Sequence, residues 1–282
     1  MRPLHIIILA SVVLPVAAVL GIIGVSSWMT EREIAAYDES VRRIGLAHQS
    51  AGIHTAALAA LPAPVQRYLA FAMPDLNADY GVMQFTASGD FRRPLTDKFG
   101  PTTVSQTIAV DTPALMFAAT TSIIPGLWAR AYDYFAEGEM EMRAKILSTL
   151  TVVNESATDD LNRTSLRRWL LESPLYPMAL LPGGQVRWEA IDDSHARAIV
   201  SGFDLEASLV ATFRSDGSLA SFHAEQDGDL TTPYHGSGEY VARDDYRPIQ
   251  GMMIPHDFVI ARAAGGEICP FWKGKITAIA FE

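Results

Sequence analysis

The chain has 282 residues, 49% of them hydrophobic, which is enough to build a large core and argues against a disordered protein. The 22 basic and 32 acidic residues give a formal net charge of -10, and no basic cluster offsets it, so a nucleic acid partner is not expected. The single cysteine, Cys269, can form neither an internal disulfide nor a cysteine-rich zinc site.

The N-terminus predicts a membrane segment. Residues 6–25, IIILASVVLPVAAVLGIIGV, carry no charge, and at a helical rise of about 1.5 Å per residue they span the roughly 30 Å hydrocarbon core of a bilayer. The apolar run exceeds the core of a signal peptide, about 7–15 residues. We therefore expect residues 1–29 to be an uncleaved anchor in the cytoplasmic membrane, with a cleaved signal peptide as the alternative. A signal anchor would place the rest of the chain on the extracytoplasmic side.

Helical patterns continue after the apolar run. In residues 30–58, Ile34, Tyr37, Val41 and Ile44 recur at spacings of three and four, which predicts a helical linker that leads away from the membrane. The stretch LPAPVQRYLAFAMP, residues 61–74, predicts a short helix that starts with prolines and ends at one. Residues 59–282 are expected to form a single β-rich domain.

From residue 82 onward the hydrophobic period becomes two. GEMEMRAKI, for example, places Met140 and Met142 on one face and Glu139 and Glu141 on the other. Asp216-Gly217 is a strong hairpin signal, and Gly265-Gly266 is a weaker one. The pattern predicts a mainly β, α+β fold: a strongly curved antiparallel sheet or half-barrel of about ten strands with a few helices.

One helix interrupts the strands near residue 160. Leu166, Trp169 and Leu170 form its apolar stripe, and Arg163, Arg167 and Arg168 are expected to face away from it. Arg168 and Glu172 stand four residues apart and can pair. Ser173-Pro174 ends the helix, because proline disfavours a helical conformation in the residue before it. The apolar strip LYPMALLP follows.

Several stretches together resemble a known family. They are LPAPVQRYL, YDYFAEGEMEMRAKIL, LRRWLLESPLYPMALLP, VRWEAIDDSHARA, GMMIPHDFVI and FWKGKITAIAF. Their order and spacing are similar to those of an uncharacterised bacterial domain of unknown function, about 220 residues long. The architecture also resembles the half-barrels of lipoprotein carriers and related envelope proteins, which use a concave sheet face for acyl chains. That resemblance implies a fold and not a function.

Motifs for metals and cofactors are missing. The seven histidines show no H-x-x-x-H or H-x-H spacing, so no metal site is predicted. Phosphate-loop and dinucleotide patterns are also missing, and no cofactor is predicted. The stretch YHGSGEY lacks the spacing of a nucleophile elbow, so His235, Ser237 and Glu239 predict a polar strand face.

Three functional hypotheses remain open. The leading one is a membrane-tethered envelope protein that binds a lipid or other apolar molecule in its concave face, through Trp128, Met140, Met142, Trp169 and Trp188. The second is a hydrolase or isomerase of unrecognised type built from Glu172, Arg168, His256 and Asp257, which must then converge in one pocket. The third is a structural or protein-interaction module of the envelope, which predicts a large exposed apolar patch.

Overall fold

A computed structural model describes residues 2–47, 55–76, 78–92, 98–228 and 238–282. Four α-helices are present in these residues: α1 (Arg2–Leu46), α2 (Thr55–Ala59), α3 (Ala63–Ala72) and α4 (Asp159–Glu172). Two 3-10 turns, Ser173–Leu175 and Pro177–Leu180, follow α4 directly. The strands are β1 (Val82–Arg92), β2 (Phe99–Ala109), β3 (Ala114–Ile124), β4 (Leu127–Ala136), β5 (Glu139–Ile146), β6 (Leu150–Ser156), β7 (Val186–Ala190), β8 (His195–Gly202), β9 (Leu205–Phe213), β10 (Leu219–His223), β11 (Tyr240–Ile249), β12 (Met252–Ala264) and β13 (Glu267–Phe281).

All thirteen strands belong to one antiparallel sheet in the order β6-β5-β4-β3-β2-β1-β13-β12-β11-β10-β9-β8-β7. The chain runs outward from β1 to β6, crosses through α4, and returns from β7 to β13. The last strand then pairs with the first, so that Phe85 lies opposite Ile279. The prediction of a large curved antiparallel sheet with a few helices is confirmed.

The sheet has more strands than the period-two pattern indicated. The alternating pattern does not predict strand β3, ALMFAATTSII, because its first six residues are all buried and therefore do not alternate. Both faces of β3 are covered, one by the main core and the other by α1. The predicted hairpins at Asp216-Gly217 and Gly265-Gly266 are confirmed, with positive φ at Gly217, Gly265 and Gly266.

The concave face of the sheet encloses α4. Leu166, Trp169 and Leu170 are fully buried in the main core, as their spacing predicted. The two 3-10 turns after α4 are buried along their whole length. The sheet curves so strongly that Phe203, in the β8–β9 turn, packs edge-on against Phe135 of β4 with ring centroids 6.4 Å apart. The helix and the turns therefore fill the interior of a half-barrel.

The convex face carries the second half of α1. An apolar stripe on this half of α1 includes Ile34 and Val41. It packs on small and medium-sized side chains of β2, β3 and β4, including Ala109, Ala114 and Met116. Tyr37 stacks on Tyr134 with ring centroids 4.2 Å apart. Residues 30–46 are thus not a free linker: they continue α1 and lie along the sheet, because their stripe finds an apolar surface there.

The first half of α1 is different. Within the described residues, α1 is the one helix that is long and apolar enough to cross a membrane. From Val13 to Met29 its large apolar side chains are mostly exposed, in contrast to the packed stripe that begins at Ile34. One helix therefore combines an uncovered apolar segment with a segment that is fixed to the domain.

Candidate ligand site on the concave face

A cluster of charged and polar side chains is buried between α4 and the sheet. Arg168 lies one turn before Glu172 on α4, and its Nε donates a hydrogen bond of 3.1 Å to that carboxylate. Its Nη1 donates a bond of 2.7 Å to Asp133 of β4. Gln106 of β2 donates its amide hydrogen to the other oxygen of Glu172. All four side chains are buried, and the guanidinium of Arg168 lies 4.3 Å from the ring centroid of Phe117.

The position of Arg168 corrects the prediction that it faces away from the apolar stripe. It is adjacent to Trp169 on the helix, and the strong curvature of the sheet covers its side of α4 as well. Asp133 supplies a counter-charge at an inward-facing position of β4, whereas its neighbours Tyr132 and Tyr134 face α1. The predicted pairing of Arg168 with Glu172 is confirmed.

A second arginine, Arg243 of β11, lies in the same region with far fewer contacts. Its Nη2 donates one long hydrogen bond of 3.5 Å to the carbonyl oxygen of Leu171, at the C-terminal end of α4. Its Nε is buried without any hydrogen-bond partner. The carboxylate that acts on it most strongly, Glu172, already contacts Arg168.

The electrostatic state of Arg243 follows from this isolation. Burial lowers the pKa of its guanidinium, and the charge of Glu172 only partly opposes the shift. An arginine remains protonated nevertheless, because its ordinary pKa is above about 12. A buried cation that lacks a bonded anion is costly. Contact with the helix C-terminus offsets part of that cost, since helix ends carry partial negative charge.

The two arginines line a small cavity of about 20 Å³. That volume holds about one water molecule and not a hydrocarbon chain. Most of the walls are apolar and aromatic side chains, and the polar members are Gln106, Arg168, Glu172 and Arg243. The apolar members are Phe85, Val104, Phe117, Leu175, Phe258, Ile260, Trp272 and Ile276.

Glu239 provides a useful contrast within the same sheet. It is a buried carboxylate immediately before β11, and it accepts hydrogen bonds of 3.2 Å from Arg167 and 3.0 Å from Arg262. It also accepts one of 3.0 Å from the backbone amide of Ala263. Because this charge is fully satisfied, it needs no additional partner, unlike Arg243.

The residues predicted to bind an apolar ligand divide between the two faces. Met140, Met142 and Trp169 are buried in the main core, and Trp169 donates a hydrogen bond of 2.8 Å to the carbonyl oxygen of Ala109. Trp188 is half-buried, and it donates a bond of 3.2 Å to the carbonyl oxygen of Leu180. These four side chains pack in or against the main core inside the half-barrel, and they do not line the cavity beside Arg243.

Trp128 does not share the concave face with them. It alternates with Arg130 and Tyr132 along β4, and those two residues contact Glu31 and Glu33 of α1 on the convex side. The period-two geometry of the strand therefore places Trp128 on the convex face.

The four residues of the enzyme hypothesis do not form one site. His256 and Asp257 are consecutive residues of β12, so they point to opposite faces. His256 is buried and contacts the carbonyl oxygen of Ile254, whereas Asp257 pairs with Lys275 at 3.0 Å across the convex surface. Asp257 lines an open groove of about 600 Å³ over β11, β12, β13 and β1, and this groove shares Arg243 and Phe258 with the lining of the small cavity. Only Arg168 and Glu172 come together.

Sequence reasoning missed the residues that make the concave site distinctive. Gln106, Asp133 and Arg243 are separated by long stretches of chain and match no motif. Gln106 and Asp133 are polar residues at inward positions of strands, with apolar neighbours two residues away on both sides, and Arg243 follows Val241 at the same spacing. A polar residue within an apolar strand face is the one local signal that marks them. His235 and Ser237 lie outside the described residues.

The family model described as Family of unknown function (DUF6920) matches residues 59–281. The chain belongs to this family. The resemblance predicted from residues 60 onward is thereby confirmed, and the family brings no assigned activity. No curated protein matches the chain.

Two solved structures match the chain distantly. One is a LolA-superfamily protein from Nitrosomonas europaea, with 9% identity, a TM-score of 0.37, and coverage of 79% of this chain and 94% of that one. The other is a β-barrel-like protein of DUF1849 from Brucella abortus, with 9% identity, a TM-score of 0.24, and coverage of 72% and 98%. Such distant similarity carries no argument about function.

Proposed function

We propose that this protein is a membrane-tethered domain that binds an amphiphilic anion on the concave side of its sheet, with the acidic head beside Arg243. The observation that carries the proposal is a buried guanidinium whose Nε has no partner and which lines a mainly apolar cavity. An oxyanion supplies the missing acceptor and the missing charge together, since arginine favours carboxylate and phosphate groups.

The apolar part of the ligand has a matching environment. Eight apolar side chains surround the cavity, three of them phenylalanines and one a tryptophan, Trp272. At about 20 Å³ the cavity is closed to a chain, so binding requires displacement of the cover that includes Leu175. That cover is short and has little regular structure, because Pro174 and Pro177 limit it to two 3-10 turns.

Photocrosslinking of the full chain in phosphatidylcholine nanodiscs tests this proposal. The probes are a fatty acid and a phosphatidic acid that carry a diazirine on the acyl chain, with the matching fatty alcohol as a neutral control. We expect the acids to label peptides that contain Phe258 and Trp272, and the alcohol to label them several-fold less. The arm that labels more strongly identifies the head as a carboxylate or a phosphate.

Matched variants connect the labelling to one guanidinium. Arg243→Met should abolish the preference for acids, Arg243→Lys should retain part of it, and Arg187→Met, at an exposed position away from the cavity, should leave it unchanged. Circular dichroism verifies that each variant is folded. Equal labelling by acid and alcohol, or unchanged labelling of a folded Arg243→Met protein, would disprove anion binding at this site.

The tether and its side belong to the same proposal. The uncovered apolar segment of α1 supports a membrane anchor. We propose further that it is a signal anchor in the cytoplasmic membrane, with the domain on the extracytoplasmic side. A C-terminal alkaline phosphatase fusion should be active in a bacterial host and should sediment with membranes. Activity of a C-terminal cytoplasmic reporter would place the domain on the other side, and release into the soluble fraction would indicate cleavage.

A further inference from the structure

Residues 30–46 of α1 pack on the sheet, and they set the positions of the β3–β4 and β5–β6 hairpins along the helix axis relative to the exposed apolar segment of α1. The Nζ of Lys145, near the end of β5, donates a hydrogen bond of 3.1 Å to Thr30. Arg130 of β4 forms hydrogen bonds of 2.8 and 2.9 Å with Glu31. Both hairpins are therefore attached to α1 at the residues that directly follow its exposed apolar segment.

Both hairpins extend beyond these attachment points, toward the apolar segment. Strand β4 runs alongside α1 in the same direction, since Tyr132 contacts Glu33 and Tyr134 contacts Ser40. Leu127 precedes Arg130 by three residues, which places the β3–β4 tip about 10 Å further along the strand. On a helix that distance corresponds to roughly six or seven residues. Counted back from Glu31, the tip therefore lies level with α1 residues 24–25.

The composition of the two tips is unlike that of ordinary exposed turns. Residues 120–129, TTSIIPGLWA, and residues 146–153, ILSTLTVV, contain no charged side chain. Ile124, Leu150 and Val152 are 59%, 64% and 54% exposed. The β4–β5 turn at the opposite end of the same strands contains Glu137 and Glu139 instead. Of the turns at the two ends of these strands, the uncharged and apolar ones are therefore at the end nearer to the apolar segment of α1.

Trp28 lies about one turn closer to the domain than that level. Its ring is exposed, and the guanidinium of Arg32, one turn later, lies 4.8 Å from the ring centroid. Tryptophan followed by a basic residue is typical of the boundary between hydrocarbon and water. The exposed tips therefore lie within about one turn of this boundary, on its apolar side.

From this proximity we propose that the β3–β4 and β5–β6 hairpin tips insert their apolar side chains into the surface of the lipid bilayer that α1 crosses. The proposal rests on the proposed membrane tether, and it adds that the domain lies directly on the bilayer, held by three contacts in place of one. Burial of each tip side chain from water contributes to membrane affinity in proportion to its apolar area. The concave cavity is then held at a fixed orientation close to the lipid.

Site-specific fluorescence in nanodiscs tests the inference. In a Cys269→Ser background, single cysteines replace Ile124, Leu150, Glu137 or Val25, and each is labelled with an environment-sensitive nitrobenzoxadiazole dye. The full chain is reconstituted into phosphatidylcholine nanodiscs with or without lipid that carries a spin label near the glycerol. We expect a blue-shifted emission and at least twofold quenching at positions 124, 150 and 25, and neither effect at position 137.

The four positions separate the two proposals. Quenching at position 25 without quenching at positions 124 and 150 would overturn the inference and leave the tether intact. An absence of quenching at position 25 would overturn the tether and, with it, the inference. Equal quenching at positions 137 and 124 would also overturn it, because the domain would then contact lipid without the proposed orientation.

Discussion

Replacement of Arg168 by leucine is expected to destabilise the domain by about 3–5 kcal/mol, the usual cost when one partner of a buried ion pair is removed. Arg168 is the cation shared by Asp133, at 2.7 Å, and Glu172, at 3.1 Å, and their side chains are only 4–5% exposed. Leucine leaves two buried carboxylates without that cation. The loss of the stacking between the guanidinium and the ring of Phe117 acts in the same direction.

Urea unfolding of the full chain in one fixed detergent, followed by tryptophan fluorescence, measures this cost. A domain of this size has an m-value of about 3 kcal/mol/M, so the urea midpoint should fall by roughly 1–1.7 M. The matched control is Arg163→Leu, on the same helix, where the ion pair with Asp160 is exposed. Exposed pairs of this kind contribute about 0–1 kcal/mol, so its midpoint should hardly change.

A second variant examines the reason for the loss. If uncompensated charge is the cause, then the triple variant Arg168→Leu, Asp133→Asn, Glu172→Gln should recover part of the stability, because it removes the two anions as well. If Arg168→Leu shifts the midpoint no more than Arg163→Leu does, the buried cluster does not support the fold as described.

Three further predictions follow from other contacts. Gly89→Ala should lower the melting temperature by several degrees, because a Cβ there would lie 2.0 Å from a carbonyl oxygen of β13. Gly202→Ala should leave the melting temperature unchanged, because no atom lies nearer than 3.8 Å to the added Cβ. Equal shifts for the two variants would contradict this prediction. Burial, and then a hydrogen bond to Glu33, raises the pKa of Tyr132 to about 12, so the stability due to its neutral form should be complete below pH 10 and lost as the pH rises toward 12. Ultraviolet titration should show that Glu33→Gln moves this pKa partway back toward 10, and an unmoved value would contradict the bond's role. Glu239→Gln should lower the urea midpoint, because it leaves Arg167 and Arg262 without their shared carboxylate, and an unchanged midpoint would show that this buried pairing is dispensable.

Local patterns predicted most of the architecture because they arise from alternation and turn chemistry. Strands such as β5, with Met140 and Met142 inward, and turns such as Asp216-Gly217 were evident in the sequence alone. Where both faces of a strand are buried, the alternation of apolar and polar residues disappears, and the sequence pattern does not predict β3 for that reason. Arg168 was assigned to the wrong side because a helical wheel does not show that a sheet curves around both sides of a helix.

The sequence by itself determined that the chain has an apolar N-terminal helix, a β-rich domain and a helix near residue 160, because these depend on periodicity over neighbouring residues. Only the tertiary structure decided that α4 and its 3-10 turns fill the concave face, leaving a cavity of about 20 Å³. It also brought Gln106, Asp133, Arg168 and Arg243 together and fixed α1 along the convex face. Those arrangements depend on curvature and on strand pairing between the two ends of the domain, and contacts between distant residues have no local signal.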